Sequence, residues 1–209
     1  TVRDGPYVGG LMVTASHNPP EYNGVKYVTG DGAPALPTTT DELERRLASP
    51  GPRPTDPDGA VTESDFTVAY ADHAHAFVDT DLDGLRVGYD AMHGSGRGVT
   101  DAILDEAGAD LTRLRCQRDP TFGGVSPEPV PEHAEELIDL VEAGTVSLGL
   151  INDGDADRLG VITPERGFVD PNVLLAVLYE YLLDTTRSGD VVRTVSTSSL
   201  VDRIAREAG

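Results

Sequence analysis

The sequence predicts a layered α/β protein, and three observations carry that expectation. From residue 85 onward, short stretches at 85–91, 110–116 and 146–151 read as strands, and 97–108 and 132–143 read as amphipathic helices. Such alternation is the pattern of a mixed or parallel sheet with helices laid over it. The apolar run ending at Ile151 then opens into Asn152-Asp153-Gly154-Asp155-Ala156-Asp157-Arg158. That is where α/β sheets hold their ligands, beyond the carboxyl end of a strand. Finally, no stretch approaches the ~18–20 apolar residues of a membrane span, and no secretory leader is visible.

In chain order, residues 8–14 read as a short buried strand, 15–24 as a polar turn-rich loop and 25–28 as a second strand. Thr40-Asp41 is placed to cap a helix over 42–47. Residues 49–60 hold four Pro and two Gly with almost nothing apolar, which makes them a loop or linker. Ser64-Asp65 opens a helix to about residue 78, with Val68, Ala71, His75 and Val78 on one face. After the central alternation, Pro171 suits the first turn of a helix running to 183. A strand at 190–195 and a helix at 199–208 begin a further βα unit. There is no internal repeat.

Composition narrows the partners. The 209 residues carry a formal charge of −20, from 36 acidic and 16 basic side chains. Nucleic acids and anionic membranes need basic patches, so neither is an expected partner. Of the basic residues, Lys26 is the single Lys. An acidic, Lys-poor surface is expected of a protein from a salt-rich cytoplasm, where ~1 M salt shortens the Debye length to ~3 Å. A melting temperature that fails to rise with KCl would count against that. The lone Cys116 excludes an internal disulfide and reads as a core residue.

Three Asp at alternate positions repel one another unless a cation neutralises them. Hard carboxylate ligands favour Mg²⁺ or Ca²⁺. An EF-hand is excluded: counted from Asp153, its sixth and twelfth positions hold Arg158 and Pro164 instead of Gly and Glu. A haloacid-dehalogenase-type phosphatase also has an Asp-x-Asp after a strand; its usual Thr or Val is here Asp157.

The second dense stretch is Thr14-Ala15-Ser16-His17-Asn18-Pro19-Pro20-Glu21-Tyr22-Asn23-Gly24-Val25-Lys26. Ser16 follows a strand, where a hydroxyl is presented firmly, and the prolines and Gly24 fix the loop. Lys26 can trade a proton, which Arg cannot. Ser16 and His17 are neighbours with no Gly-x-Ser-x-Gly elbow, so an acyl-transfer triad is a weak reading. Gly94-Ser95-Gly96-Arg97-Gly98 matches neither the dinucleotide fingerprint nor a P-loop and reads as a structural βα turn. His73, His75, His93 and His133 have no partner at metal-ligand spacing.

The Ser-His-Asn-Pro loop with Asn23-Gly24-x-Lys26, together with Asp153-Gly154-Asp155-Ala156-Asp157-Arg158, resembles the α-D-phosphohexomutase family. Many members have Gly at the position of Ala156. Asp119 to Pro131 also resembles the family's loop before the second helix of domain II. The resemblance implies layered α/β/α domains with mixed sheets, the second complete and its neighbours partial. The expected division is 1–80 for the end of domain I, 81–168 for domain II and 169–209 for the start of domain III. The chain is then expected to be a fragment, without the third domain's sugar-selecting Gly-Glu-x-Ser-Gly loop and without domain IV.

The resemblance also implies roles. Ser16 carries the phosphoryl group, about −2 in charge as phosphoserine. Asp153, Asp155 and Asp157, with Ser16 through its phosphate, hold Mg²⁺. Arg158 binds phosphate bidentately, Lys26 acts on the sugar hydroxyl's proton, and His17 and Asn18 position the phosphate or the loop. The implied partner is a hexose phosphate, mannose or glucose 1- or 6-phosphate, handled in the cytoplasm. The alternatives are the phosphatase with Asp153 as nucleophile and a non-catalytic divalent-metal module.

Overall fold

The computed structural model describes residues 2–52, 59–78, 80–185 and 190–208. The first strands, β1 (Gly9–Val13) and β2 (Val25–Thr29), pair antiparallel with Val13 opposite Val25. The Thr14 N–H donates to the Gly24 carbonyl at 3.0 Å and closes the base of the loop between them. The expected burial of this first strand is not found. Leu11 and Val13 are exposed, because β2 is the one element packed extensively along β1 among the described residues.

The first helix, α1 (Pro37–Ala48), starts earlier than the sequence suggests. Pro37 sits in its first turn, and Thr40 lies inside it, donating its hydroxyl back to the Pro37 carbonyl at 3.0 Å. Residues 53–58 of the expected 49–60 loop lie outside the described residues, and the rest of that loop has no regular structure. In α2 (Thr67–Phe77), Asp65 serves the helix start by accepting the Thr67 N–H at 2.8 Å. Its supposed core face is not buried: Val68 and Val78 are exposed, and His75 reaches Glu106 at 3.2 Å instead.

The centre is a five-stranded mixed sheet in the order β4-β3-β5-β6-β7. Its strands are β3 (Arg86–Asp90), β4 (Asp110–Leu114), β5 (Leu148–Asn152), β6 (Leu159–Thr163) and β7 (Gly167–Phe168). β4, β3 and β5 run parallel; β6 and β7 are antiparallel additions. Two helices make the crossovers, α3 (Thr100–Glu106) from β3 to β4 and α4 (Glu135–Glu142) from β4 to β5. β4 and β5 flank β3 on opposite sides, so two right-handed crossovers put α3 and α4 on opposite faces. The layered α/β/α expectation therefore holds. Both helices begin later than expected. Gly96–Gly98 still turns before α3, and Pro131–His133 makes a single 3₁₀ turn before α4.

α4 seals the main core, in which Met92, Ala134, Leu137, Val141, Val146, Ile151 and Ile162 are buried together. Each large side chain removed from water there contributes roughly 1.5–3 kcal/mol. Strand order reverses about β3, so the loops after β3 and β5 emerge side by side at a topological switch point.

Beyond the sheet, α5 (Pro171–Thr185) packs on α6 (Leu200–Ala208), burying Ala176 and Val201. Residues 190–195 are not a strand. A strand needs a neighbour for its backbone groups, and none lies beside this segment among the described residues. Val192 and Val195 stand in solvent, and Arg193 instead grips Asp202 of α6 at 2.6 and 2.7 Å. No helix of the described residues is long and apolar enough to cross a membrane.

Candidate functional site

The three loop carboxylates come from the β5–β6 connection, whose ends are tied by the pairing of Asn152 with Leu159. One donor oxygen from each of Asp153, Asp155 and Asp157 lies within 4.8 Å of the others. Asp153 is wholly buried, and its Oδ1 accepts the Arg158 N–H at 2.9 Å. Burial pushes the Asp153 carboxyl above the usual carboxylate range; Asp155 and Asp157 add to this, while the Arg158 N–H opposes it. Burial also works against the charged form of Asp155. Hydrogen bonds from Thr14, Asp153, Lys26 and Ser16 outweigh it and hold Asp155 below that range.

The serine loop folds onto this cluster from the other side. The Ser16 hydroxyl donates to Asp155 Oδ1 at 3.1 Å and lies 3.5 Å from Asp153 Oδ2. His17 Nδ1 is 3.3 Å from the same hydroxyl, and Lys26 Nζ pairs with Asp155 Oδ2 at 3.3 Å. Thr14 binds both partners: its hydroxyl donates to Asp155 Oδ2 at 3.1 Å and accepts the Ser16 N–H at 2.8 Å. Gly154 permits the close approach, since a Cβ there would stand 2.5 Å from the Ser16 carbonyl oxygen. Ser16 and Ala156 hold φ of 56° and 60°, the left-handed region that costs L-residues about 1–2 kcal/mol. Ala156 therefore occupies a backbone conformation that Gly would enter freely.

Two expected site residues stand apart. Asn18 is exposed and closes a turn through its backbone N–H on the Ala15 carbonyl. Arg158 joins the cluster by its backbone, while its guanidinium pairs with Glu128 at 3.2 Å. The Pro127 carbonyl accepts the Gly154 N–H at 3.1 Å, so the Pro127-Glu128-Pro129 turn forms a third wall.

The donor set fits a small hard cation. Ligands about 2.1 Å from an octahedral ion stand roughly 3–4.2 Å apart, close to the span of these oxygens. A hydroxyl facing two carboxylates is also a poor place for an anion unless positive charge sits between them.

Residues 68–167 match the family described as "Phosphoglucomutase/phosphomannomutase, alpha/beta/alpha domain II", and residues 1–52 match domain I of the same family. The chain belongs to this family. Among curated relatives, a "probable phosphoglucosamine mutase" of Methanopyrus kandleri is 35% identical, over 96% of this chain and 45% of that protein. A phosphopentomutase of Thermococcus kodakarensis is 33% identical, over 96% and 45%. A crystal structure of a phosphoglucomutase/phosphomannomutase family protein from Burkholderia thailandensis superposes with a TM-score of 0.85. It is 27% identical and covers 97% of this chain and 44% of that one. The chain thus spans a little under half the length of these mutase-family relatives.

Sequence reasoning passed over Thr14, Glu128, Tyr89 and Asn152 as individual contributors. Thr14 carried a signal, a hydroxyl at the end of a strand two residues before Ser16. Tyr89 carried none, because a buried Tyr in a strand looks like any other core aromatic.

Proposed function

We propose that this chain is the phosphoserine- and metal-bearing part of a phosphohexomutase that interconverts hexose 1- and 6-phosphates, with glucose or mannose phosphate as substrate. The observation that carries the reading is the meeting of Ser16 with Asp155 at 3.1 Å, across 139 residues of sequence. Nothing in core packing requires a serine hydroxyl there. The division proposed is a first domain to residue 80, a second to 168 and a third beyond; the domain II match ends beside the second boundary, at 167, but begins at 68, ahead of the first.

Asp153, Asp155 and Asp157 would hold Mg²⁺ against the phosphate on Ser16. Bound there, Mg²⁺ would draw charge off the transferred group. Ser16 Oγ carries the phosphoryl group and releases it to a sugar hydroxyl, then takes the other phosphoryl group back from the resulting bisphosphate. The proton leaving the sugar hydroxyl needs an acceptor within reach, and that role falls to Lys26, beside Asp155, a side chain that can exchange one. His17 Nδ1 orients the serine oxygen. Arg158 can turn its guanidinium from Glu128 to a phosphate, since the pair it leaves is half-exposed and weakly held.

Intact-mass measurement and peptide mapping test this directly. Phosphate is expected on Ser16, and Asp155→Asn is expected to weaken Mg²⁺ binding in calorimetry. An Asp153 adduct with BeF₃⁻ and an unmodified Ser16 would select the phosphatase. Full Mg²⁺ affinity in Ser16→Ala with no phosphate on Ser16 would select the non-catalytic metal module.

A further inference from the structure

Behind the carboxylates runs a chain of hydrogen bonds that starts in the core, does not involve Ser16 and ends on one of the acidic donors, Asp153. Tyr89, at 0% exposure on β3, donates its hydroxyl to Asn152 Oδ1 at 2.8 Å. Asn152, the last residue of β5, donates Nδ2 to the Arg158 carbonyl at 2.7 Å. The Arg158 N–H then donates to Asp153 Oδ1 at 2.9 Å. The Asn152 side chain thus spans the mouth of the loop and ties its first residue to its last. Its orientation is forced, because a carbonyl can only accept and the hydroxyl supplies the one donor to Oδ1.

The glycine turn after β3 completes the arrangement. A Cβ on Gly96 would overlap the Tyr89 hydroxyl and stand 3.2 Å from Asn152 Oδ1. The adjacent Ser95 N–H donates to the Gly154 carbonyl at 3.0 Å. This turn is a wall for the acidic loop, which accounts for Gly94 and Gly96, since a Cβ on either would meet Gly154 or Tyr89, without any bound anion.

We propose that Tyr89 and Asn152 are positioning residues that set the spacing of Asp153, Asp155 and Asp157, with Gly96 leaving the room they need. The inference rests on the metal reading of that loop. Partners behind metal ligands typically change affinity by 10–100-fold when removed. Tyr89→Phe keeps the buried ring and deletes the one donor that fixes the Asn152 amide.

The test measures Mg²⁺ affinity by calorimetry and stability by urea unfolding on the same chain. Tyr89→Phe is expected to weaken Mg²⁺ binding about 10–100-fold. Leu137→Ala, destabilised in the core away from the loop, is expected to bind Mg²⁺ within about twofold of wild type. Hydrogen exchange of the Arg158 amide in metal-free protein is expected to quicken in Tyr89→Phe. Should Tyr89→Phe not fold, Gly96→Ala crowds the same hydroxyl and is expected to show the same loss. Wild-type binding matched by the Tyr89→Phe or Gly96→Ala variant, with unchanged exchange at Arg158, overturns the positioning role alone. A wild-type chain that binds no Mg²⁺ overturns the metal reading, and this inference with it.

Discussion

The three carboxylates stand on a five-stranded sheet, whereas Ser16, His17 and Lys26 hang from a ribbon of two strands. In the sheet, β3 is paired on both sides, and α4 covers a core whose central members are fully buried. In the ribbon, Leu11 and Val13 of β1 are exposed, and Lys26 of β2 has half its side chain in solvent. The difference teaches that the site's two halves are held by different means. On the sheet side, Asp153 is fixed by burial and by the Arg158 N–H. The serine loop is fixed by polar contacts to Asp155, through Thr14, Ser16 and Lys26. Damage to the sheet should therefore be read in stability, and damage to the ribbon in chemistry.

The sharpest way to break that comparison is Lys26→Arg in the full-length protein. It keeps the charge but removes a group able to exchange a proton. Turnover of glucose or mannose 1-phosphate is expected to fall ~10²–10⁴-fold, with stability unchanged. Near wild-type turnover would leave Lys26 as a phosphate anchor. Next, Leu137→Ala empties the heart of the α4 contact and should cost about 2–5 kcal/mol in urea unfolding. The matching truncation on the ribbon, Leu11→Ala, should stay within ~0.5 kcal/mol, because Leu11 is already 73% exposed. A larger loss there would mean that the ribbon is packed in solution.

The smallest expected effect lies on α1. Glu42 is held down to about 2 by hydrogen bonds from Arg45 and Arg46. Because the folded value is depressed, whatever these pairs contribute is present above an unfolded value of ~4.3 and disappears as pH falls through about 2. An NMR titration of the Glu42 carboxylate checks this, and a midpoint near 4 would show the pairs open in water.

The sheet was legible because β5 is an apolar run bounded by turn residues and short strands alternate with helices around it, and the acidic loop because alternating carboxylates have no packing use. The match of serine loop to acidic loop was legible only as a family resemblance, since no local pattern records a contact across 139 residues. Residues 190–195 misled for a related reason. Val191, Val192 and Val195 have the composition of a strand, but a strand exists only where a second backbone meets it. The start of α1 was missed because Thr40-Asp41 looks like a cap, while Pro37 takes the first turn without needing a side-chain partner.

The register of Asn152 against Leu159 has a kinetic consequence. The acidic loop is the connection of a hairpin, so its ends meet by closing a handful of residues, a local event on the scale of ~1–10 μs. Bringing Ser16 to Asp155 closes a far longer loop, at an added entropic cost of about 0.6 kcal/mol for each doubling of length. Local contacts precede distant ones when both are otherwise free to form. In a refolding experiment the carboxylate hairpin should gain protection first, and the serine loop should dock last, onto carboxylates already in place.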